Sequence, residues 1–331
     1  MFERKSALIL LPLTLAFASL GCAVSFSFNP PVTVTMPAVI PATVTSPPPT
    51  SAPTETVPPA SPSPTSDIFP PTVVLTSAPV LQVTPGSPSG PYAVILVQPG
   101  DVLNIRSAAG VSQPVVGSFT PTSREVIRTG PSARVGDALW VEVQKPGGGT
   151  GWVNSNFLTE YVAASAFCAN MQVTSLLNDL RMAVLNSNGS ALSALPSPAH
   201  GMDVRFWRYG TLVNYNREQA KFLFDSAFQV NWGPAPGSGE DTLGSFSQVV
   251  LPKLIEVFGS DYQLHCNDPL DLATFSLDPW PPEYANINFY AVHKPGSETY
   301  GGLDWRTWLV GVEFSGGKPH LFSLIHFQWE P

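Results

Sequence analysis

The sequence predicts a multidomain chain: a disordered Pro/Thr-rich linker, a small all-β barrel, and an α+β domain whose helices pack on a curved antiparallel sheet. Three observations carry this. Residues 23–90 contain no Lys, Arg or His and are dominated by Pro, Thr and Ser. Residues 91–162 break into short β-rich runs separated by Gly and Pro turns. Residues 166–331 alternate between helical and strand-like apolar periods. A length of 331 residues leaves room for two or three domains.

The formal charge is −8, and loss of the leader, with Glu3, Arg4 and Lys5, makes it one unit more negative. Nucleic-acid binders carry a basic face that replaces counterions, so this balance argues against one. It argues equally against charge-driven attachment to an anionic membrane surface. Only 12% of residues are charged, and the 36 prolines account for part of that.

Residues 1–22 read as an export leader. Glu3, Arg4 and Lys5 precede an apolar run from Ala7 to Leu15. That run is far shorter than the about 20 residues a membrane-spanning helix needs. Ala18-Ser19-Leu20-Gly21-Cys22 resembles a bacterial lipobox, although Ser19 stands where that family prefers Leu. The resemblance implies diacylglycerol on Cys22, a lipid anchor in the membrane, and an extracytoplasmic location at the cell surface or in the cell wall. Two acyl chains hold a protein on a membrane far better than one. Ordinary cleavage after Ala18 and an uncleaved anchor are the alternatives.

The tract 23–90 has only Glu55 and Asp67 as charged residues and no apolar periodicity. It cannot bury enough surface to offset its ordering entropy, which predicts disorder. Pro-rich chains favour extended polyproline II at about 3.1 Å per residue, so the tract could reach roughly 200 Å. It serves either as a stalk carrying the folded parts outward or as a passive linker, and its Thr and Ser residues are candidates for glycosylation.

In residues 91–162, six runs read as strands: Tyr92–Val97, VLNIRS from Val102, QPVVGSF from Gln113, SREVIRT from Ser123, ALWVEVQ from Ala138 and WVNSNFL from Trp152. A long loop is expected from Thr129 to Gly136. VLNIRSAAG, ALWVEV and GWVNSNFL resemble, in order, the opening, middle and closing motifs of bacterial SH3-like (Src homology 3 type) domains, with Ala108-Ala109 replacing the usual Gly-Pro. The resemblance implies a barrel that targets peptidoglycan or another cell-surface polymer. Exposed aromatics flanked by amides would supply the contact, and the candidates are Tyr92, Trp140, Trp152, Asn154, Asn156 and Phe157. The other reading of Trp140 and Trp152, and the one favoured, is barrel core, because a small barrel needs large aromatics to fill it. No nucleophile–base set is present, so this unit is expected to be non-catalytic.

In residues 166–331, Leu176, Leu177, Leu180 and Val184 form one stripe of a helix over Val173–Leu185. Asn216 as N-cap, with Gln219 three residues later, predicts a second helix burying Ala220, Leu223, Phe224, Ala227 and Phe228. A third runs from Gln248 to Phe258, stopped by Gly259. Trp305–Phe314 and Pro319–Trp329 flank a Ser315–Lys318 turn and predict a hairpin. Parity about Gly316-Gly317 sorts Trp308, Val310, Val312, Phe314, Leu321, Ile325, Phe327 and Trp329 onto a core face. Thr307, Leu309, Glu313, His320, Phe322, Leu324, His326 and Gln328 then fall on an amphipathic face, either cleft lining or solvent face. SPAHGMDVRFW, VNWGPAPGSGE and GKPHLFSLIHFQWE resemble an uncharacterised extracytoplasmic domain of bacteria. The helix-then-sheet layout resembles the nuclear transport factor 2-like cone, which implies a pocket; fold alone does not carry function.

Five histidines, His200, His265, His293, His320 and His326, lie in this unit without metal-ligand spacing, so neither a metal nor a cofactor is expected. His200 is either a general base or a hydrogen-bonded loop anchor. A Glu240, Glu313 and His326 cluster is the other weak catalytic candidate. PAPGSGE from Pro234 lacks the lysine of a phosphate loop and ends in acids, so it reads as a structural or rim loop. Cys168 and Cys266 form an even pair in an exported chain and predict a disulfide, the alternative being two buried thiols. Trp232 and Trp280, flanked by Gly or Pro, are the tryptophans expected to be exposed for ligand stacking. The sum is a non-enzymatic cell-surface lipoprotein whose barrel binds wall or surface polymer and whose last domain binds a ligand or partner. A wall-associated hydrolase and a purely structural display protein are the alternatives. Oligomeric state is not legible.

Overall fold

The computed structural model describes residues 90–270 and 280–330. The leader, Cys22 and the linker as far as residue 89 lie outside the described residues.

The barrel contains β1 (Tyr92–Val94), β2 (Leu103–Arg106), β3 (Val115–Phe119), β4 (Arg128–Val135), β5 (Ala138–Gln144), β6 (Thr150–Asn154) and β7 (Leu158–Glu160). Five strands form one sheet in the order β3-β2-β6-β5-β4, and β1 pairs with β7. Alternation in each strand turns Val94, Ile105, Val141, Val143 and Val153 fully inward. The expected 129–136 loop is instead strand β4, hydrogen-bonded to β5. Its Gly, Pro and Ser residues hide the strand, and the turn at Gly136-Asp137 pairs it with the apolar ALWVEVQ run. Of the expected Ser123–Thr129 strand, Val126 makes an isolated bridge to Tyr92 and only Arg128 and Thr129 are in strand β4.

The second unit begins with α1 (Ala164–Cys168), α2 (Met171–Leu185) and α3 (Gly189–Ser193). Asn170 caps α2 by accepting from the Gln172 amide, and Val173, Leu176, Leu177, Leu180 and Val184 are its buried stripe. β8 (Met202–Arg205), β9 (Leu212–Tyr215), α4 (Arg217–Ala220), β10 (Val230–Pro234), β11 (Asp241–Gly244) and α5 (Phe246–Phe258) follow. The Asn216–Gln219 capping box forms, but α4 is a single turn, and the chain bends through Lys221–Asp225. There the Lys221 carbonyl abuts Gly189 of α3, an approach that only a residue without a Cβ allows. Leu223 and Phe224 are still buried, while Phe228, expected in the core, is exposed. Helix α5 starts at Phe246 because Ser245 and Gln248 make a reciprocal capping box there.

β12 (Gln263–Cys266), β13 (Asn288–Lys294), β14 (Arg306–Ser315) and β15 (Lys318–Gln328) complete the chain. The six-stranded sheet runs β12-β13-β14-β15-β8-β9 and is mixed, since β15 and β8 are parallel. The terminal hairpin forms as expected, but it carries a bulge: Gly311 pairs with Ser323 and Val312 with Leu321. The extra residue, Phe322, reverses parity along the rest of β15. Leu324 and His326 therefore join Trp308 and Val310 on the helix-covered face. Ile325 and Phe327, expected there, face the other way. Apart from Glu313 near its end, which lines a cleft, that second face is packed. Trp280, Tyr284, Ile287 and Trp305 cover it, together with Ile95 of the barrel.

A disulfide joins Cys168 of α1 to Cys266 of β12, 98 residues apart, with 5.8 Å between Cα atoms. The barrel is docked onto the α+β unit by polar as well as apolar contacts. Asn286 Nδ2 donates to the Val94 carbonyl at 2.8 Å, and its Oδ1 accepts from Arg124 Nε at 2.7 Å. The Leu96 amide donates to the Glu283 carbonyl at 2.9 Å, and Asn288 Nδ2 donates to the Val162 carbonyl at 2.8 Å. Both carboxylate oxygens of Glu160 accept from the hairpin turn, the Gly316 and Gly317 amides each at 2.8 Å.

Candidate functional site

Two concave sites involve the barrel. The first is a groove of about 300 Å³ on the barrel itself, between the segment entering β2 and the end of β6. Trp140 projects from β5 to form part of its floor, 3% exposed and packed on Ala109 and Ala133. Phe157 and Val111 supply apolar walls, and Gln98, Asn104 and Asn154 supply amides. Asp101 and Arg106 put one charge of each sign at the groove. Asn154 is held in place because its Oδ1 accepts from the Asn156 amide at 3.0 Å, capping a 3-10 turn. Aromatic and apolar surface beside convergent amides and a few charges is the usual composition of a small-ligand or polymer subsite.

Of the six residues expected to form such a surface, the groove gathers Trp140, Asn154 and Phe157. Trp152 packs half-buried against the Trp140 cluster instead. Tyr92 is buried under the Arg128 guanidinium, 5.2 Å from ring centroid to cation, and lies in the second site. Asn156 contributes its backbone carbonyl to that second site rather than an amide to the groove. Asn104 and Gln98 were not singled out from sequence. Asn104 is exposed between buried Leu103 and Ile105, a polar-out signal that strand alternation in VLNIRS already contains.

The second site is a cleft of about 200 Å³ where the barrel meets the α+β unit. Tyr92, Arg128, Ser155 and Thr159 line it from the barrel, and His200, Glu313 and Ser315 from the other side. His200 Nδ1 donates to Glu313 Oε2 at 2.7 Å, and Nε2 donates to the Asn156 carbonyl at 3.1 Å. The His200 and Glu313 side chains are nearly excluded from solvent. Burial opposes the charged imidazole, but the Glu313 hydrogen bond and charge, with the Asn156 carbonyl, outweigh it and raise the pKa of His200. Both ring nitrogens thus face acceptors, an arrangement that favours the protonated ring and turns no lone pair toward a substrate proton. Its loop is fixed from behind: Asn214 Nδ2 donates to the His200 carbonyl and to Asp203 Oδ1, each at 2.8 Å, and the Tyr284 hydroxyl donates to Asp203 Oδ2. Of the two readings of His200, this geometry is that of the loop anchor.

The Glu240, Glu313 and His326 cluster does not assemble. Glu240 is exposed in the β10–β11 turn, and the bulge places His326 on the helix-covered face, away from Glu313. His326 Nδ1 donates to the Phe206 carbonyl at 2.9 Å, and complete burial drives its pKa down to about 3. His320 and His326 lie on opposite faces, contrary to the parity reading. Trp232 and Trp280 are buried, not exposed: Trp232 Nε1 donates to the Gly244 carbonyl at 3.0 Å inside the core, and Trp280 packs on Phe289 at 4.5 Å. Their Gly and Pro neighbours mark turns that fold back over the sheet. Among the described residues no three His, Cys, Asp or Glu side chains converge on a point that suits a metal.

No curated protein and no solved structure matches the chain. The family model described as Bacterial SH3 domain matches residues 101–159, which span β2 to β7 and include the groove residues from Asp101 to Phe157, so this segment is an SH3-like domain of the bacterial type.

Proposed function

We propose that the protein is a non-enzymatic, lipid-anchored surface protein that uses its SH3-like barrel to hold a cell-wall or surface polymer. Cys22 carries the anchor, the 23–90 tract spaces the folded body from the membrane, and the α+β unit presents a surface for a ligand or partner. The barrel groove is the observation that supports this reading best. Phe157 offers an apolar face to a sugar ring or peptide stem above the buried Trp140, and Asn104, Asn154 and Gln98 offer amides to its hydroxyl and amide groups. Bacterial SH3 domains are commonly cell-wall binding, which agrees with a surface-associated role.

Nothing favours the hydrolase reading over this one, since the buried His–Glu pair found among the described residues, His200 with Glu313, has both imidazole nitrogens occupied. A cone-type pocket in the α+β unit also lacks support, because the sheet carries a packed apolar cluster on each face. Co-sedimentation of the mature protein with purified peptidoglycan tests the proposal. The expected result is enrichment in the pellet that Asn104→Ala and Phe157→Ala each reduce without loss of folding. No enrichment, or enrichment indifferent to both changes, would leave only the display role.

A further inference from the structure

Strand β9 is the open edge of the six-stranded sheet, at the opposite end from the disulfide-tied β12. On one side it pairs with β8, and Leu212–Tyr215 make no further backbone hydrogen bond among the described residues. In an antiparallel pair alternate residues turn their amide and carbonyl away from the partner, so β9 presents unpaired groups along its outer side. A groove of about 360 Å³ touches Val213, Asn214 and Tyr215. Consecutive side chains on a strand point to opposite faces, so a cavity that meets all three follows the edge rather than one face. Phe222 and Phe228, 60% and 75% exposed, flank it, with buried Leu223 and Phe246 beneath. Exposed phenyl rings beside an open edge are the surface that addition of a further strand covers.

Charge, length and position narrow the occupant. No residue lining the groove is charged, and its polar side chains are Asn214, Gln219, Ser226 and Tyr215. The chain is likewise without charge over residues 68–100. Within that stretch, and outside the described residues, Val80-Leu81-Gln82-Val83-Thr84 stands between Pro79 and Pro85. Proline cannot donate to a ladder, so pairing would be confined to the five residues between them, close to the four of β9. Strand alternation sets Leu81 and Val83 on one side. The start of the described chain fits as well. The Pro91 carbonyl accepts from the Tyr161 amide, and Tyr92 lines the same cleft as His200. The His200 carbonyl in turn accepts from Asn214 of β9 at 2.8 Å. Residues 85–90, extended, make a tether of roughly 20 Å to a strand one histidine removed from that cleft.

We propose that residues 80–84 of this chain dock on β9 as a seventh strand, with Leu81 and Val83 seated against Phe222 and Phe228. The contact is made within one molecule. It closes an edge that would otherwise offer itself to other chains, and it covers the apolar surface beside that edge. The site is separate from the barrel groove, and the inference does not depend on polymer binding.

Hydrogen exchange of the mature protein, read by mass spectrometry, tests it. The expected result is exchange over residues 80–84 slowed about tenfold or more relative to the same sequence as a free peptide. Phe228→Ser on the groove and Leu81→Asp on the segment should each restore free-peptide exchange there and speed exchange of β9. Phe228 is exposed, so its replacement spares the core. Phe157→Ala, in the barrel groove, should change neither rate. Free-peptide exchange of residues 80–84 in the unaltered protein, or slow exchange indifferent to both variants in folded protein, would overturn the proposal. So would protection that grows with protein concentration alongside a dimeric mass in light scattering, since the occupant would then be a second copy.

Discussion

His200 and Glu313, 113 residues apart in sequence, form a 2.7 Å ion pair at the seam between barrel and α+β unit. Because His200 Nε2 also reaches the Asn156 carbonyl, protonation of one imidazole couples the two folded units. Breaking one partner of a buried pair costs more than the pair contributes, since the remaining charge is left without compensation.

The pH dependence of stability follows from the sign of that shift. His200 has a raised pKa in the folded state, so its contribution is complete below the unfolded value of 6.5 and is lost as pH rises through the folded value. His326 acts in the opposite window. Its folded pKa is about 3, so the unfolded chain gains its proton first, and stability falls as pH drops from 6.5 toward 3. His293 and His320, also lowered and chiefly by burial, add to the acid side. Urea denaturation from pH 4 to pH 9 should therefore give a maximum near 6.5, and His200→Gln should flatten only the alkaline limb. An alkaline limb unchanged by that variant would refute the coupling.

Asn286 is expected to be the most sensitive polar residue of the joint. Asn286→Ala removes the donor to the Val94 carbonyl and the acceptor for Arg124 Nε. Leaving such buried groups unpaired costs about 1–3 kcal/mol each. Scanning calorimetry should show the melting temperature falling and barrel and α+β unit beginning to unfold separately. A single transition at the original temperature would show that apolar contacts around Ile95 and Tyr284 suffice.

Cys168 and Cys266 close a loop of 98 residues that ties α1 to the edge strand β12. The chain-entropy account gives about 4–5 kcal/mol for a loop of that length, and removal of native disulfides typically costs about 2–5 kcal/mol. Reduction with dithiothreitol, or paired Cys168→Ser and Cys266→Ser changes, should lower the urea midpoint accordingly. Mass analysis without reductant should find no free thiol on either residue.

Gly311 sits where β14 meets the β15 bulge. A Cβ there would collide with Ser323 Oγ and the Trp280 ring. Gly311→Ala is expected to destabilise by about 1–3 kcal/mol through overpacking. Gly316→Ala meets open space but takes a φ of +62°, so its cost is the smaller one of a strained turn. Equal effects of the two changes in chemical denaturation would contradict this packing.

The elements themselves were largely written in the local pattern. The stripe Leu176, Leu177, Leu180, Val184 specified α2, the alternation in VLNIRS and ALWVEV specified β2 and β5, and the Ser315–Lys318 turn specified the terminal hairpin. Part of the barrel groove, Trp140, Asn154 and Phe157, was legible for the same reason, since aromatic and amide residues near strand ends are visible one strand at a time. Strand β4 was not, because its residues read as loop and only pairing with β5 orders them.

Sequence alone determined local periodicity, capping and turn chemistry, all of which depend on residues a few positions apart. Tertiary structure decided what depends on non-local pairing. Phe322 is a bulge only relative to Gly311 and Val312 across the hairpin, and that one inserted residue exchanges the faces of Ile325, Phe327 and His326. Trp232 and Trp280 became core because their turns fold over the sheet, and His200 found Glu313 and Asn156 because the barrel docks beside the hairpin. A side-chain period of two cannot record an insertion on the partner strand, and no spacing rule reaches across 113 residues.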